Sequence, residues 1–309
     1  MKYLILCIVF MSLASSATAQ DSRSEVNRLF RQASSGEIRY QSVVKPSKDS
    51  LIAMADSASK YLVEKLTTTD AREKVTLVEI FRGIGKSATR YLVGALVTEN
   101  KDQLRTTSRC LAEVKDTAAI SHLLPATKHQ DFTVRAEAVT AIGKSGGGAP
   151  TANMLEPVIA DSIDIVRKCV MYGLGLNKSP SSIPVLITSL NDESFVVRLT
   201  AYDALVSIDS IAHTQIVAAM TNSKDQRERV LLLRLVGQLG INQAKDMIQE
   251  SLLDSASTVR GWAVWSLARV GDKTAKWRIE KLSKFEQDVF VLSQIGEALS
   301  YLSTSKSDE

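Results

Sequence analysis

The chain has 309 residues, 45% of them hydrophobic and 23% charged, with a formal net charge of +4. That balance excludes an intrinsically disordered chain, which lacks the apolar residues to build a core, and a protein filled with membrane spans. The charge excess is also too small for the clustered basic footprint of a nucleic-acid-binding protein, so no nucleic-acid partner is expected.

The first element is an apolar run from Tyr3 to Leu13, preceded by Lys2 and followed by Ser15, Ser16, Ala17, Thr18 and Ala19. Such a run is too short to span a bilayer, which takes about 20 residues. One basic residue, a short apolar core and small residues at Ala17 and Ala19 predict a secretory signal peptide over 1–19, cut before Gln20. The expected mature chain is therefore exported, periplasmic or extracellular, with no transmembrane segment. Its net charge falls to +3, and loss of Cys7 leaves Cys110 and Cys169. Residues 20–39 read as an N-terminal linker or capping helix.

From residue 40 the chain repeats itself. Similar strings run from Asp161 to Arg167, from Asp192 to Ala201 and from Asp254 to Ala263. With the Arg of these strings as anchor, equivalent positions are Val44, Lys74, Arg105, Arg135, Arg167, Arg198, Arg229, Arg260 and Leu292, at intervals of 30, 31, 30, 32, 31, 31, 31 and 32. Each repeat reads as two helices. Seven residues after every anchor stands an apolar side chain: Leu51, Phe81, Ala112, Ile142, Leu174, Leu205, Val236, Leu267 and Leu299. Together with offsets three and six these share one helical face, which is the expected core. At offset eleven stand Gly85, Gly146, Gly240 and Gly271, where a left-handed residue would end the helix. A second apolar stretch precedes the next Asp. Pro184 suits a first helical turn, whereas Pro125 and Pro157 are expected to bend their helices.

An aspartate, then Val-Arg, then Ala-x-x-Ala-Leu resembles the HEAT-repeat family in its short, phycobilin-lyase-type form, over residues 40–302. The resemblance implies an all-α, right-handed α-solenoid of about nine stacked two-helix repeats, with the first helix of each pair outside and the second lining the concave side. The atypical first and last repeats fit capping units. Residues 303–309 are expected to be a flexible tail.

An Arg in the same local context every thirty-one residues suits a structural ladder better than one active site. In the family, the anchor Arg and the turn Asp bond between neighbouring repeats, which would pair the set Asp161, Arg167, Asp192, Arg198, Asp254 and Arg260. The carboxylates would also cap the second helix of each repeat. Function is sought on the face opposite the core, where offset five points: Glu79, Cys110, Thr140, Tyr172, Asp203, Arg234, Trp265 and Glu297. Aromatics and Arg dominate binding hot spots, so Tyr172, Arg234, Trp262, Trp265 and Arg269 form the candidate partner-binding patch. The plainer alternative is that Trp262 and Trp265 pack against the following repeat or a C-terminal cap.

Other chemistry finds little support. Gly85-Lys86-Ser87 and Gly143-Lys144-Ser145 lack the earlier glycine of a phosphate-binding loop and read as helix ends. Gly146-Gly147-Gly148-Ala149-Pro150 reads as a flexible loop between repeats. His122, His129 and His213 lack metal-ligand spacing and the following Glu that the iron-binding deoxyhypusine hydroxylases carry, so no metal, cofactor or catalytic residue is expected. Cys110 and Cys169 lie two repeats apart, too far for a disulfide. An export signal and a weak charge argue against the phycobilin lyases and DNA glycosylases built on similar repeats. Asn177-Lys178-Ser179 fits a glycosylation sequon. The expected function is an exported, non-catalytic scaffold for a protein or peptide on the concave face; the alternative is a small-ligand carrier or accessory enzyme with a pocket near Tyr172 and Arg234.

Overall fold

A computed structural model describes residues 20–271 and 274–304, all helix, turn or loop with no strand among them. The expected signal peptide, at 1–19, lies outside the described residues, as do positions 305–309 of the expected tail. The chain forms two compact units that divide after Gly147. In each, long helices that begin three or four residues before an anchor alternate with shorter elements, the arrangement of an α-solenoid.

In the first unit, α1 (residues 20–33) buries Val26, Leu29, Phe30 and Ala33. Residues 20–39 therefore hold a helix with a packed apolar face. The long helices that follow are α2 (Gln41–Ala53), α4 (Ala71–Ile84), α6 (Lys101–Val114) and α8 (Phe132–Ser145), each packed on the next. Between them run α3 (Asp56–Leu62), α5 (Thr89–Gly94) and α7 (Ile120–Leu123), extended by 3-10 turns. The second unit repeats the scheme. Its long helices are α10 (Asp164–Asn177), α12 (Phe195–Ile208), α14 (Gln226–Leu239), α16 (Ser257–Val270) and α18 (Val289–Thr304), again packed in succession. Its shorter ones are α9 (Ala149–Leu155), α11 (Ile183–Thr188), α13 (His213–Asn222), α15 (Lys245–Ser251) and α17 (Ala275–Leu282). The last helix reaches Thr304, so Ser303 and Thr304 belong to it and not to a tail.

The offset-seven residues form the core row. Leu51, Phe81, Ile142, Leu205, Val236 and Leu267 are fully enclosed, and each such burial stabilises the fold by about 1.5–3 kcal/mol. Leu299 of the last described helix is only half-buried. Successive long helices approach closely where a side chain is missing. A Cβ on Gly175 would stand 2.7 Å from Cβ of Ala204, and one on Gly237 2.5 Å from the Trp265 ring and 2.9 Å from Cα of Ser266.

Helix ends follow local chemistry, with departures from the sequence expectation. Asp70, Asn100, Asp131 and Asp225, each immediately before a long helix, accept first-turn N–H groups. At the other end, Gly85, Gly146 and Gly240 have φ of 71°, 80° and 65°, but Gly271 has φ −68° and is not left-handed. Lys115, Lys178 and Asp209 take left-handed φ at helix ends without being glycine. At Pro125 and Pro157 the α-helix gives way to 3-10 form: α7 ends at Leu123 and continues as Leu124–Lys128, and α9 ends at Leu155 and continues as Glu156–Val158, each proline being the second residue of its 3-10 segment. Gly146, Gly147 and Gly148 all have positive φ, and α9 begins directly after them.

Candidate interaction face

The anchor arginines of the second unit hold turns together. Arg167 donates through Nη1 to the backbone oxygen of Asp161 at 2.9 Å, and through Nε and Nη2 to both carboxylate oxygens of Asp192 at 2.8 and 2.9 Å. This bidentate geometry joins one repeat to the next with a planar fork, the strong form of such a bond. Arg260 repeats it, with Asp254 O at 2.9 Å and Glu286 at 2.7 and 2.8 Å. Arg229 reaches Asp254 at 2.8 Å. Arg198 departs from the expected pairing: it donates to the backbone oxygen of Asp192 at 2.7 Å and forms no ion pair among the described residues. The position equivalent to Asp192 and Asp254 in its next repeat is Ser223, which carries no charge.

These aspartates do not cap first-turn amides. Asp161, Asp192 and Asp254 accept from the N–H of Ile163, Ser194 and Ala256, the residues just outside α10, α12 and α16. They close the turn before the helix instead. Burial of Asp192 opposes its ionisation, but the Arg167 fork and the Ser194 N–H more than offset this and hold its carboxyl below the usual range. The Arg260 fork brings Glu286 down to about 2.

The two units present different long-helix faces. In the first, charges pair from helix to helix. Lys48 of α2 meets Glu79 of α4 at 2.5 Å, and Arg109 of α6 pairs with Glu137 of α8. Glu113 of α6 is gripped from both sides, by Arg82 of α4 and Lys144 of α8, each at 2.7 Å. Hydrogen bonding from Lys144 lowers the Glu113 carboxyl, against the opposing effect of burial. Cys110, expected on this face, is wholly enclosed and its thiol is pushed up by burial, the reverse of an activated nucleophile.

In the second unit the corresponding face is aromatic and its arginines stack. The Arg234 guanidinium lies over Trp262 at 4.6 Å and over Tyr202 at 5.2 Å. Trp262 meets Trp265 edge to face at 5.6 Å and Phe290 at 6.2 Å. Arg269 covers Trp265 at 3.6 Å and approaches Tyr301 at 5.0 Å. The structure thus brings Arg234, Trp262, Trp265 and Arg269 together across α14 and α16, with both tryptophans half-buried. The packing alternative also has its share, since Trp262 leans on Phe290 of α18. Tyr172 stands apart from the stack on α10, 41% exposed. Its neighbours on that face are Ile165 and Leu176 of α10, while α12 exposes Val196 and Leu199. Ile165, Tyr172 and Leu176 are seven and four residues apart and Val196 and Leu199 three, so they form an apolar strip on each helix opposite the core.

Tyr202, Phe290 and Tyr301 were not singled out in the sequence. Tyr202 sits one residue from the offset-five row, and its signal was its spacing of one repeat from Arg234; Tyr301 stands likewise one repeat beyond Arg269. The Asn177 sequon is engaged structurally. Its Oδ1 accepts from Gly148 N at 3.1 Å, its Nδ2 donates to Gly173 O at 2.8 Å, and Ser179 is buried. A groove of about 650 Å³ lies elsewhere, among the short elements of the first unit, bordered by Asp56, Lys86, Arg90, Asp116 and His122.

Residues 89–170 match the family model of HEAT repeats. The HEAT-repeat match begins at α5, takes in α6 and α8 whole, and ends within α10. Among solved structures, YibA of E. coli is similar at 17% identity and TM-score 0.48, covering 83% of this chain and 96% of its own. Human deoxyhypusine hydroxylase in complex with glycerol is similar at 16% identity and TM-score 0.37, over 83% of this chain and 98% of that one. The complex of CpcE and CpcF of phycocyanin lyase from Nostoc sp. is similar at 16% identity and TM-score 0.39, over 79% of this chain and 94% of that one. No curated protein matches the sequence.

Proposed function

We propose that the protein is an exported, non-catalytic scaffold that binds a protein or peptide on the long-helix face of its second unit. The observation that carries this reading is the contrast in charge pairing. On the first unit's face, Lys48, Arg82, Arg109 and Lys144 are each committed to a carboxylate of a neighbouring helix. On the second, Arg234 and Arg269 lie over tryptophan rings and form no ion pair among the described residues. Half-buried Trp262, Trp265 and Arg234, with the exposed Arg269, beside an exposed apolar strip are the composition of an interface hot spot. Export rests on the N-terminal sequence alone, and no helix among the described residues is long and apolar enough to cross a membrane.

Recovery of partners from the native envelope fraction, by the wild-type protein and by a variant carrying Tyr172→Ala, Arg234→Ala and Trp265→Ala, tests the face. The reading expects a partner that the variant loses; equal recovery of every partner by both proteins contradicts it. Export is tested separately by the N-terminal sequence of protein from the host, expected to begin at Gln20.

A further inference from the structure

Resting on that reading of the second unit's face, we propose that its partner presents a short acidic peptide segment, whose carboxylates pair with Arg234 and Arg269 while adjoining apolar side chains lie along the strip of Tyr172, Leu176 and Leu199. Arg234 is the first support. Its guanidinium stacks on Tyr202 and Trp262 and makes no hydrogen bond or ion pair among the described residues, although Asp203 stands in the same row one helix away. A guanidinium stacked on its flat sides keeps its N–H edges for a planar acceptor, and a carboxylate matches that fork.

Arg269 is the second. It donates Nη1 to Trp265 O at 3.2 Å, and among the described residues its other N–H groups have no acceptor. Partial burial lowers its pKa, opposed only through space by Tyr301 and Glu297. The Arg269 side chain is nonetheless exposed, so its unused N–H groups are open to an incoming carboxylate. Both side chains are held by stacking before binding, so little rotamer freedom remains to be lost.

The spacing limits the motif. From Arg234 to Arg269 the path runs through ring steps of 4.6, 5.6 and 3.6 Å. An extended chain advances about 3.3 Å per residue, so two acidic side chains up to about four residues apart reach both guanidinia. Asp203 and Glu297, in the same row on the flanking helices α12 and α18, would repel a continuous polyanion. That favours a short acidic motif within a protein over nucleic acid or polyphosphate.

A random dodecapeptide display library selected on the purified protein tests the proposal without knowledge of the partner. The expected enriched sequences carry two acidic residues within about four positions, beside aromatic or aliphatic ones. The best such peptide, synthesised, should lose about tenfold in affinity to Arg234→Gln and to Arg269→Gln. Arg234→Lys, which keeps the charge without the fork, should be nearly as weak, and unchanged thermal melts show that the variants fold. Enrichment of basic or uncharged peptides still sensitive to Tyr172→Ala or Trp265→Ala would overturn the acidic motif and leave the face standing. Tighter binding of poly-glutamate than of any short peptide would also overturn it. No enrichment, or peptides indifferent to every substitution on the face, would overturn both the motif and the face.

Discussion

Two glycines in the second unit are open to the same substitution with opposite expected signs. Gly237 lies within α14 and Gly296 within α18. In a helix interior, replacing Gly by Ala gains about 1 kcal/mol because the backbone loses less entropy on folding. At Gly296 a Cβ would meet nothing within 4 Å, so that gain should appear undiminished. At Gly237 the Cβ would stand 2.5 Å from the Trp265 ring, 2.9 Å from Cα of Ser266 and 2.9 Å from its Oγ. A ring can turn, but Cα belongs to the backbone of α16, so the two helices must separate. Separation also stretches the 2.6 Å bond from Ser266 Oγ to Leu233 O, both groups being buried. Overpacking of this kind costs about 1–3 kcal/mol, so Gly237→Ala should be a net loss of about 1 kcal/mol. Urea unfolding followed by circular dichroism reads both variants, with the slopes checked for constancy. Expected are a raised midpoint for Gly296→Ala and a lowered one for Gly237→Ala. Equal stabilisation by both would refute the close approach of α14 and α16, and with it the support under Trp265.

Asp209 ends α12 at φ 60°, ψ −134°, a conformation that suits glycine, so Asp209→Gly should add about 1 kcal/mol of stability, read as a higher urea midpoint. Its carboxylate lies 3.8 Å from His213 Nε2, too far for a hydrogen bond, and losing that contact offsets little of the gain. Arg167→Gln removes the fork on Asp192 and leaves a largely buried carboxylate, which should cost about 3 kcal/mol in the same assay. Glu286 is held at about 2 against an ordinary 4.5, so its contribution is fully present above about 4.5 and is lost as pH falls through about 2. Glu286→Gln should therefore flatten the acid side of the stability profile in that window and lower the plateau above it.

The repeat was legible because its signals are local and recur: an apolar residue at a fixed offset, an aspartate before a long helix, a glycine after it. Even so, the left-handed ends at Lys115, Lys178 and Asp209 carry no glycine, and Gly271 is not left-handed. Dihedrals there are set by how the next short element packs, which one repeat's sequence does not contain. The offset-five row pointed to Arg234, whose rings lie on the helices before and after it, and to Trp265, whose partners Trp262 and Arg269 share its own helix. It pointed equally to Cys110, which packing between α4 and α8 encloses. It set Tyr172 in one patch with Arg234, whereas the aromatic ring that Arg234 meets on α12 is Tyr202. The pairing of Arg260 with Glu286 was hidden by one extra residue in the interval and by a glutamate in place of the aspartate. The charge pairs of the first unit were written in the sequence too, at Lys48 and Glu79 or Glu113 and Lys144, each one repeat apart. They became readable only once the long helices were seen to stack in register.

The central claim is that the second unit's face binds and the first unit's face does not. A photo-crosslinking amino acid placed in turn at Tyr172 and at Glu79, and activated in the native host, tests it most directly. The account predicts a discrete crosslinked adduct from position 172, absent when Trp265→Ala is added, and none from position 79. An adduct from position 79 alone, or one from position 172 that survives Trp265→Ala and Arg234→Ala together, would contradict it.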